Sequence, residues 1–201
     1  MPRDPKAPRM SGVDVCDLAA DAIGESRGLI YRCINAYIKY ALEVLTRGGG
    51  ALVLPCVGTL RVKKMQGRNR YNVATKKVAR APAAKGIKVD MSAQIDDLLN
   101  PKKTGKRRHA RGVSEDALVA VSARIRVEVE TIRDVLRKWG DAAVVVLVGR
   151  GRVVIADFGT LKVVKWEARA RHDAKSAKLR IRPERYSVAF RPKPAVKQLF
   201  R

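Results

Sequence analysis

The chain has 201 residues, room for one ordinary domain or two small ones, and its 46% hydrophobic content is enough for packed cores rather than global disorder. Its 43 Lys and Arg against 19 Asp and Glu give a formal charge of +24, which a compact fold tolerates best beside a polyanion. No apolar run approaches the roughly 20 residues that span a bilayer, and the basic stretch 1–11, which holds Asp4 and prolines, lacks the apolar core of a signal peptide and reads as a flexible arm.

Val15, Leu18, Ala19 and Ala22 mark a short amphipathic helix closed by Gly24. Ser26 then caps a longer helix with apolar residues at Leu29, Ile30, Cys33, Ile34, Tyr37, Ile38, Ala41, Leu42 and Leu45. That stripe is wider than one small sheet needs, so it implies a helix–helix interface. Gly48, Gly49 and Gly50 end the helix; they suit a helix stop better than a phosphate-cradling loop. Strands are expected at 51–54 and 60–65 around a turn at Val57-Gly58, then a basic excursion over 66–77, a strand near 78–81 and a helix at about 92–99. Asn100 to Gly112 carries Pro, Gly and a dense run of Lys and Arg without apolar periodicity. It reads as a linker, and its charge also suits a nuclear-localisation signal.

Beyond the linker the chain repeats itself. Gly58-Thr59-Leu60 recurs as Gly159-Thr160-Leu161, an offset of 101 residues. At the same offset Ala19, Ala22, Arg32, Ala41, Val44, Gly48, Gly50, Val53, Val62 and Lys64 meet Ala120, Ala123, Arg133, Ala142, Val145, Gly149, Gly151, Val154, Val163 and Lys165. The second copy opens on Ser114 as a cap, with Glu115 and Asp116 placed to favour the helix dipole. Its long helix carries Val129, Ile132, Leu136, Trp139, Ala143 and Val146. Residues 144–148 pose a conflict: the β-branched run, Gly140 and the Gly149-Arg150-Gly151 triplet read locally as strand and hairpin turn. Register with the first copy places them in a helix instead. Strands at 152–156, 161–166 and 178–182 and a helix at about 193–200 complete the unit.

Cys16, Cys33 and Cys56 have no metal or redox spacing and sit on apolar patterns, so buried free thiols in a reducing, intracellular compartment are expected. His109 and His172 lie in basic stretches with no second ligand nearby, and no metal or cofactor is expected. Nucleophile–base pairs and phosphate-cradling glycine loops are missing as well, so an enzyme is not expected.

The cations concentrate in the two excursions and the strands that flank them. The first set is Arg61, Lys63, Lys64, Arg68, Arg70, Lys76, Lys77 and Arg80; the second is Lys162, Lys165, Arg169, Arg171, Lys175, Lys178, Arg180 and Arg182. Alternate residues of a strand share a face, so this spacing builds a cationic ribbon face that contacts phosphates without reading sequence. Tyr71 and Trp166 add aromatic surface there and are expected as core or cross-strand partners.

The order helix, long helix, two strands, arm, strand, short helix resembles the bacterial HU and IHF family. The closest motif is Asp157-Phe158-Gly159-Thr160-Leu161, followed by Cys56-Val57-Gly58-Thr59-Leu60 and the segment Pro82-Ala83-Ala84-Lys85. The resemblance implies an α+β fold of two HU-like domains, 12–100 and 113–201, joined by the basic linker 101–112. Each would have two N-terminal helices, a small antiparallel sheet with a β-ribbon arm and a short C-terminal helix. In that family two protomers interlock through their long helices, so the halves would pair as an intrachain pseudo-dimer or with a second copy. The family's arms reach around DNA, an Arg-rich flank leading to an Asn-Pro tip whose proline wedges between base pairs. Arg68 and Arg169 match that flank. The tips read Asn72-Val73 and Asp173-Ala174, so both lack the wedge.

The implied function is a non-catalytic architectural protein binding DNA through its arms without strong sequence preference, in a nucleus or nucleoid. The stretch Gly67-Arg68-Asn69-Arg70-Tyr71-Asn72-Val73 also resembles a divergent eukaryotic tandem HU-like family linked to cilia and centrosomes. That implies the alternative of a protein-interaction module on an acidic lattice such as tubulin in the axoneme. An organellar ribosomal protein binding RNA is a weaker third reading.

Overall fold

A computed structural model describes residues 12–47, 51–72, 77–81, 84–101, 112–155, 157–173 and 178–200. The arm 1–11, the glycine triplet 48–50, the segment 82–83 and most of the linker, with His109, lie outside the described residues.

The architecture is α+β, and one succession of elements occurs twice. The first half runs α1 (Gly12–Ile23), α2 (Arg27–Thr46), β1 (Ala51–Leu54), β2 (Gly58–Met65), β3 (Arg68–Asn72), β4 (Lys77–Ala81), β5 (Ala84–Met91) and α3 (Ala93–Leu99). The second runs α4 (Glu115–Ile125), α5 (Val129–Val148), β6 (Arg152–Ile155), β7 (Gly159–Trp166), β8 (Arg169–Asp173), β9 (Lys178–Arg182), β10 (Arg185–Pro192) and α6 (Pro194–Gln198). Every strand of the first half maps onto its counterpart at the offset of 101.

Local chemistry sets the helix ends. The Ser26 side chain accepts from the Leu29 amide at 3.3 Å to start α2, and Gly24, at φ +76°, lets α1 turn away before it. Ser92 caps α3 by accepting from the Ile95 amide at 3.3 Å, and its hydroxyl also donates to the Cys56 carbonyl. Ser114 stands at the start of α4 without a side-chain cap bond, and Glu115 is held instead by Arg133 of α5 at 2.9 Å.

Each half builds a three-stranded antiparallel sheet, ordered β1-β2-β5 and β10-β7-β6, and a separate two-stranded ribbon, β3-β4 and β8-β9. Two expectations are corrected here. Residues 84–91 and 185–192 are full strands that complete the sheets, although the sequence reading left them without structure. Residues 77–81 and 178–182 pair only within the ribbons, as the return strands of the arms. The corner between the first two strands is shared by both halves: Cys56 and Asp157 take positive φ (60° and 55°). A Cβ on Gly58 would sit 2.3 Å from the Asp90 carbonyl, and one on Gly159 would sit 2.5 Å from the Arg191 carbonyl. The edge strand passes too close for any side chain.

The halves share one core. Helix α1 packs on α5 and α2 on α4, so each half's first helix lies against the other half's long helix. Buried Ile30, Tyr37 and Leu45 of α2 and Ile132, Leu136, Trp139 and Leu147 of α5 belong to the same cluster. This packing decides the conflict over 144–148 in favour of helix: Val144, Val146 and Leu147 are buried in α5. Gly140 has its own reason, since a Cβ there would lie 2.4 Å from the Pro55 carbonyl of the other half. Below the sheets, the Asn100 side chain accepts from the Tyr186 amide at 2.7 Å and donates to its carbonyl at 3.0 Å, closing part of the β10 edge.

Cys16 and Cys33 are buried, as expected; Cys56 is only half-buried, a correction. It sits at the corner rather than under it, with its thiol 3.1 Å from Asp141 of α5. Burial pushes the Cys16 and Cys33 thiols up to about 11, and burial and then Asp141 push Cys56 up to about 12.

Candidate nucleic-acid interface

Charge is sorted by element. Among the described residues, the ten strands carry 19 Lys and Arg against two acidic residues, Asp90 and Asp173, whereas the six helices carry 8 against 11. Among the described elements the positive charge therefore belongs to the sheets and ribbons, and the helical layer behind them is close to neutral.

Within the sheets, Leu60 and Leu161 are buried toward the helices, so Arg61, Lys63 and Lys162 stand on the opposite, solvent face, all exposed. Asp90 takes Lys88 at 2.6 Å and Arg61 at 3.7 Å on that face. Lys64 and Lys165 share the parity of the core residues instead, which corrects the expectation of a single cationic face. Both are exposed at the ends of their strands, and Lys165 pairs with Glu184 at 2.9 Å, which raises its pKa.

The ribbons continue the charge. In the first, register sets Arg68 opposite Ala81, Arg70 opposite Ala79 and Asn72 opposite Lys77 on one face, with Asn69 opposite Arg80 and Tyr71 opposite Val78 on the other. In the second, Arg169 lies opposite Arg182, Arg171 opposite Arg180 and Asp173 opposite Lys178, with Ala170–Ile181 and His172–Leu179 on the reverse. Asn72 and Asp173 end the described strands; Val73, Lys76, Ala174 and Lys175 lie outside the described residues. Tyr71 is 60% exposed, so it is a cross-strand partner of Val78 and not a core residue. Trp166 is a cross-strand partner of Arg185, with the guanidinium 5.9 Å from its ring centroid and its indole N–H donated to Ser187 at 2.6 Å.

Sequence reasoning missed Lys88, Arg152, Arg185 and Arg191, which share the solvent face of the sheets. The signal was present as a period of two: Arg185, Ser187, Ala189 and Arg191 alternate with Tyr186, Val188 and Phe190. Between the sheet edges β5 and β10 lies a cleft of about 520 Å³ lined by Lys88, Met91, Asp96, Trp166, Arg185 and Phe190 among others. Among the described residues no cluster of His, Cys, Asp and Glu could hold a metal, and no helix is long and apolar enough to cross a membrane.

Residues 116–201 match the family model described as bacterial DNA-binding protein. The match covers less than half of the chain. Among solved structures, an Anabaena HU–DNA cocrystal is similar at 18% identity, over 39% of this chain and 86% of that one, with a TM-score of 0.36. No curated protein matches the chain.

Proposed function

We propose that the chain is a non-catalytic architectural DNA-binding protein whose two HU-like halves, 12–100 and 113–201, act together as one binding unit joined by the linker 101–112. The observation that carries this reading is the sorting of charge onto the strands. Two basic ribbons and the solvent face of both sheets offer phosphate contacts over a broad surface, while 11 of the 19 acidic residues lie on the helices and two on the strands. The family match over 116–201 supports the same reading.

Arg68, Arg70, Lys77 and Arg80 of the first ribbon and Arg169, Arg171, Lys178, Arg180 and Arg182 of the second are assigned to the phosphates, with Arg61, Lys63, Lys88, Lys162 and Arg185 beneath them. Phosphate contacts position a protein without reading base identity, so weak sequence preference follows. Neither tip has a proline at the position of the family's wedge, so bending would rest on charge neutralisation rather than on a side chain driven between base pairs. The protein would work where DNA is held, in a nucleus or nucleoid.

The test is binding to a random-sequence duplex across a salt series, with assembled microtubules as a parallel target. Tight binding with a steep fall in affinity as salt rises is expected, and replacing Arg68, Arg70, Arg169 and Arg171 with Ala should flatten the log–log slope by about 4. Duplex binding with an unchanged slope would remove the ribbons from the interface. Saturable microtubule pelleting beside weak duplex binding would sink the DNA reading altogether.

A further inference from the structure

We propose that the chain associates head to tail with further copies of itself: the flank formed by the end of β5 and α3 in one copy takes the flank formed by the end of β10 and α6 in the next. This contact is independent of the DNA-binding reading, and its test needs no nucleic acid.

The two flanks occupy equivalent places, at the offset of 101, and carry opposite charge. Residues 90–99 hold Asp90, Asp96 and Asp97 and no cation, whereas residues 191–200 hold Arg191, Lys193 and Lys197 and no acid. Asp90 stands where the second half has Arg191, and Asp96 where it has Lys197. Elsewhere along the strands the offset keeps the sign, as at Arg61 and Lys162, Lys64 and Lys165, and Arg68 and Arg169. Among strand residues the sign reverses only between Asp90 and Arg191.

What the flanks share is an exposed leucine. Leu98 of α3 is 54% exposed, and its equivalent Leu199, directly after α6, is 56% exposed. Each follows a buried anchor, Ile95 or Val196, that fixes its short helix to the core. One exposed leucine is ordinary on a protein surface. Two at equivalent positions, beside charges of opposite sign, make complementary patches. Leucine against leucine supplies apolar contact, and the charges decide which flank approaches which. Two first flanks would bring aspartates together, and two second flanks would bring lysines together, both repulsive. A first flank against a second sets Asp90, Asp96 and Asp97 beside Arg191, Lys193 and Lys197. These groups are also engaged within their own chain, Asp90 by Lys88 at 2.6 Å, Asp96 by Asn100 at 2.8 Å and Lys193 by Asp157 at 3.3 Å, so the contact extends existing networks. Because α1 packs on α5 and α2 on α4 reciprocally, the equivalent flanks lie at different places on the surface. Contact between unlike patches does not close on itself, and a dimer keeps one unused flank of each kind.

The experiment is sedimentation velocity of the full chain without nucleic acid, from about 5 to about 200 μM in about 0.15 M salt, where repulsion between copies is screened beyond about 8 Å. Wild type should grow in mass with concentration and pass beyond the dimer. Leu98→Glu and Leu199→Glu, both at exposed positions, should each weaken association by about tenfold or more. Mixed one to one, the two variants should recover a dimer and go no further, because one keeps only its second flank and the other only its first. Leu98→Gln and Leu199→Gln repeat the comparison without added charge, and melting temperatures equal to wild type keep folding out of it. A wild type that stays monomeric at the highest concentration overturns the proposal. So does a single leucine variant that still dimerises alone, which would mean that like flanks meet, and so does a mixture no heavier than its parts. Duplex binding can fail without altering any of these outcomes.

Discussion

At the corner between its first two strands the N-terminal half places Val57, and the C-terminal half places Phe158. Both are fully buried, and both carbonyls accept from the residue that follows the edge strand, Ser92 or Lys193, at 3.0 Å. The backbone is the same, yet the filling differs: Phe158 stacks on Phe190, with centroids 4.6 Å apart, where the first half has Val57 and Val89. The halves also meet asymmetrically. Pro55 closes on Gly140, whereas the counterpart of Gly140 is the exposed Lys39. Glu43 reaches Arg124 at 2.6 Å, and the offset turns that ion pair into Val144 and Ile23. A repeated fold thus conserves the positions that dictate backbone path and spends its variation on making one half the partner of the other.

Three perturbations sharpen that contrast. The largest effect is expected at the corners: Phe158→Ala should cost about 4 kcal/mol in urea unfolding, and Val57→Ala about 2 kcal/mol. Equal losses would mean that the aromatic pair adds nothing to the second corner. Next, Gly140→Leu drives a side chain into Pro55 and should cost about 3 kcal/mol, while Lys39→Leu at the equivalent exposed position should change stability by less than about 0.5 kcal/mol. Comparable effects at the two sites would contradict the asymmetric closure.

The smallest effect concerns pH. The three cysteines and Tyr37 all belong to the first half, and burial raises the pKa of each by disfavouring the charged form. A raised folded pKa leaves the neutral thiol fully compatible with folding below the ordinary value of 9.0, and its contribution is lost as pH climbs toward 11. Melting temperature should therefore fall above pH 9, and a variant with Ala at Cys16, Cys33 and Cys56 should show a flatter decline. An identical decline in the variant would place the alkaline sensitivity elsewhere.

Much of this molecule was legible without coordinates. The offset of 101 placed the strands of the second half, and the wide apolar stripe of 27–46 anticipated a helix facing another helix. The cationic residues were also found, because charge is a property of composition. What stayed hidden has a common cause. The strands 84–91 and 185–192 are edge strands that pair with a sheet neighbour on one side only; Lys85 and Gly86 interrupt the apolar signal of the first, while the second carries an alternation that is half polar. Tyr71 reads from sequence as either a core residue or a cross-strand partner, and only the register settles it as the latter, because β propensity says nothing about which strand leaves the sheet for a ribbon.

The sequence by itself determined the duplication, the α+β order of elements and the excess of positive charge, since each follows from local pattern or from a sum over residues. Repeat register placed 144–148 in a helix against local preference, and the tertiary structure supplied the reason: Val144, Val146 and Leu147 are buried in the shared core. Tertiary structure alone decided which arginines face one another across the second ribbon, because register is a relation between two segments that neither segment encodes alone.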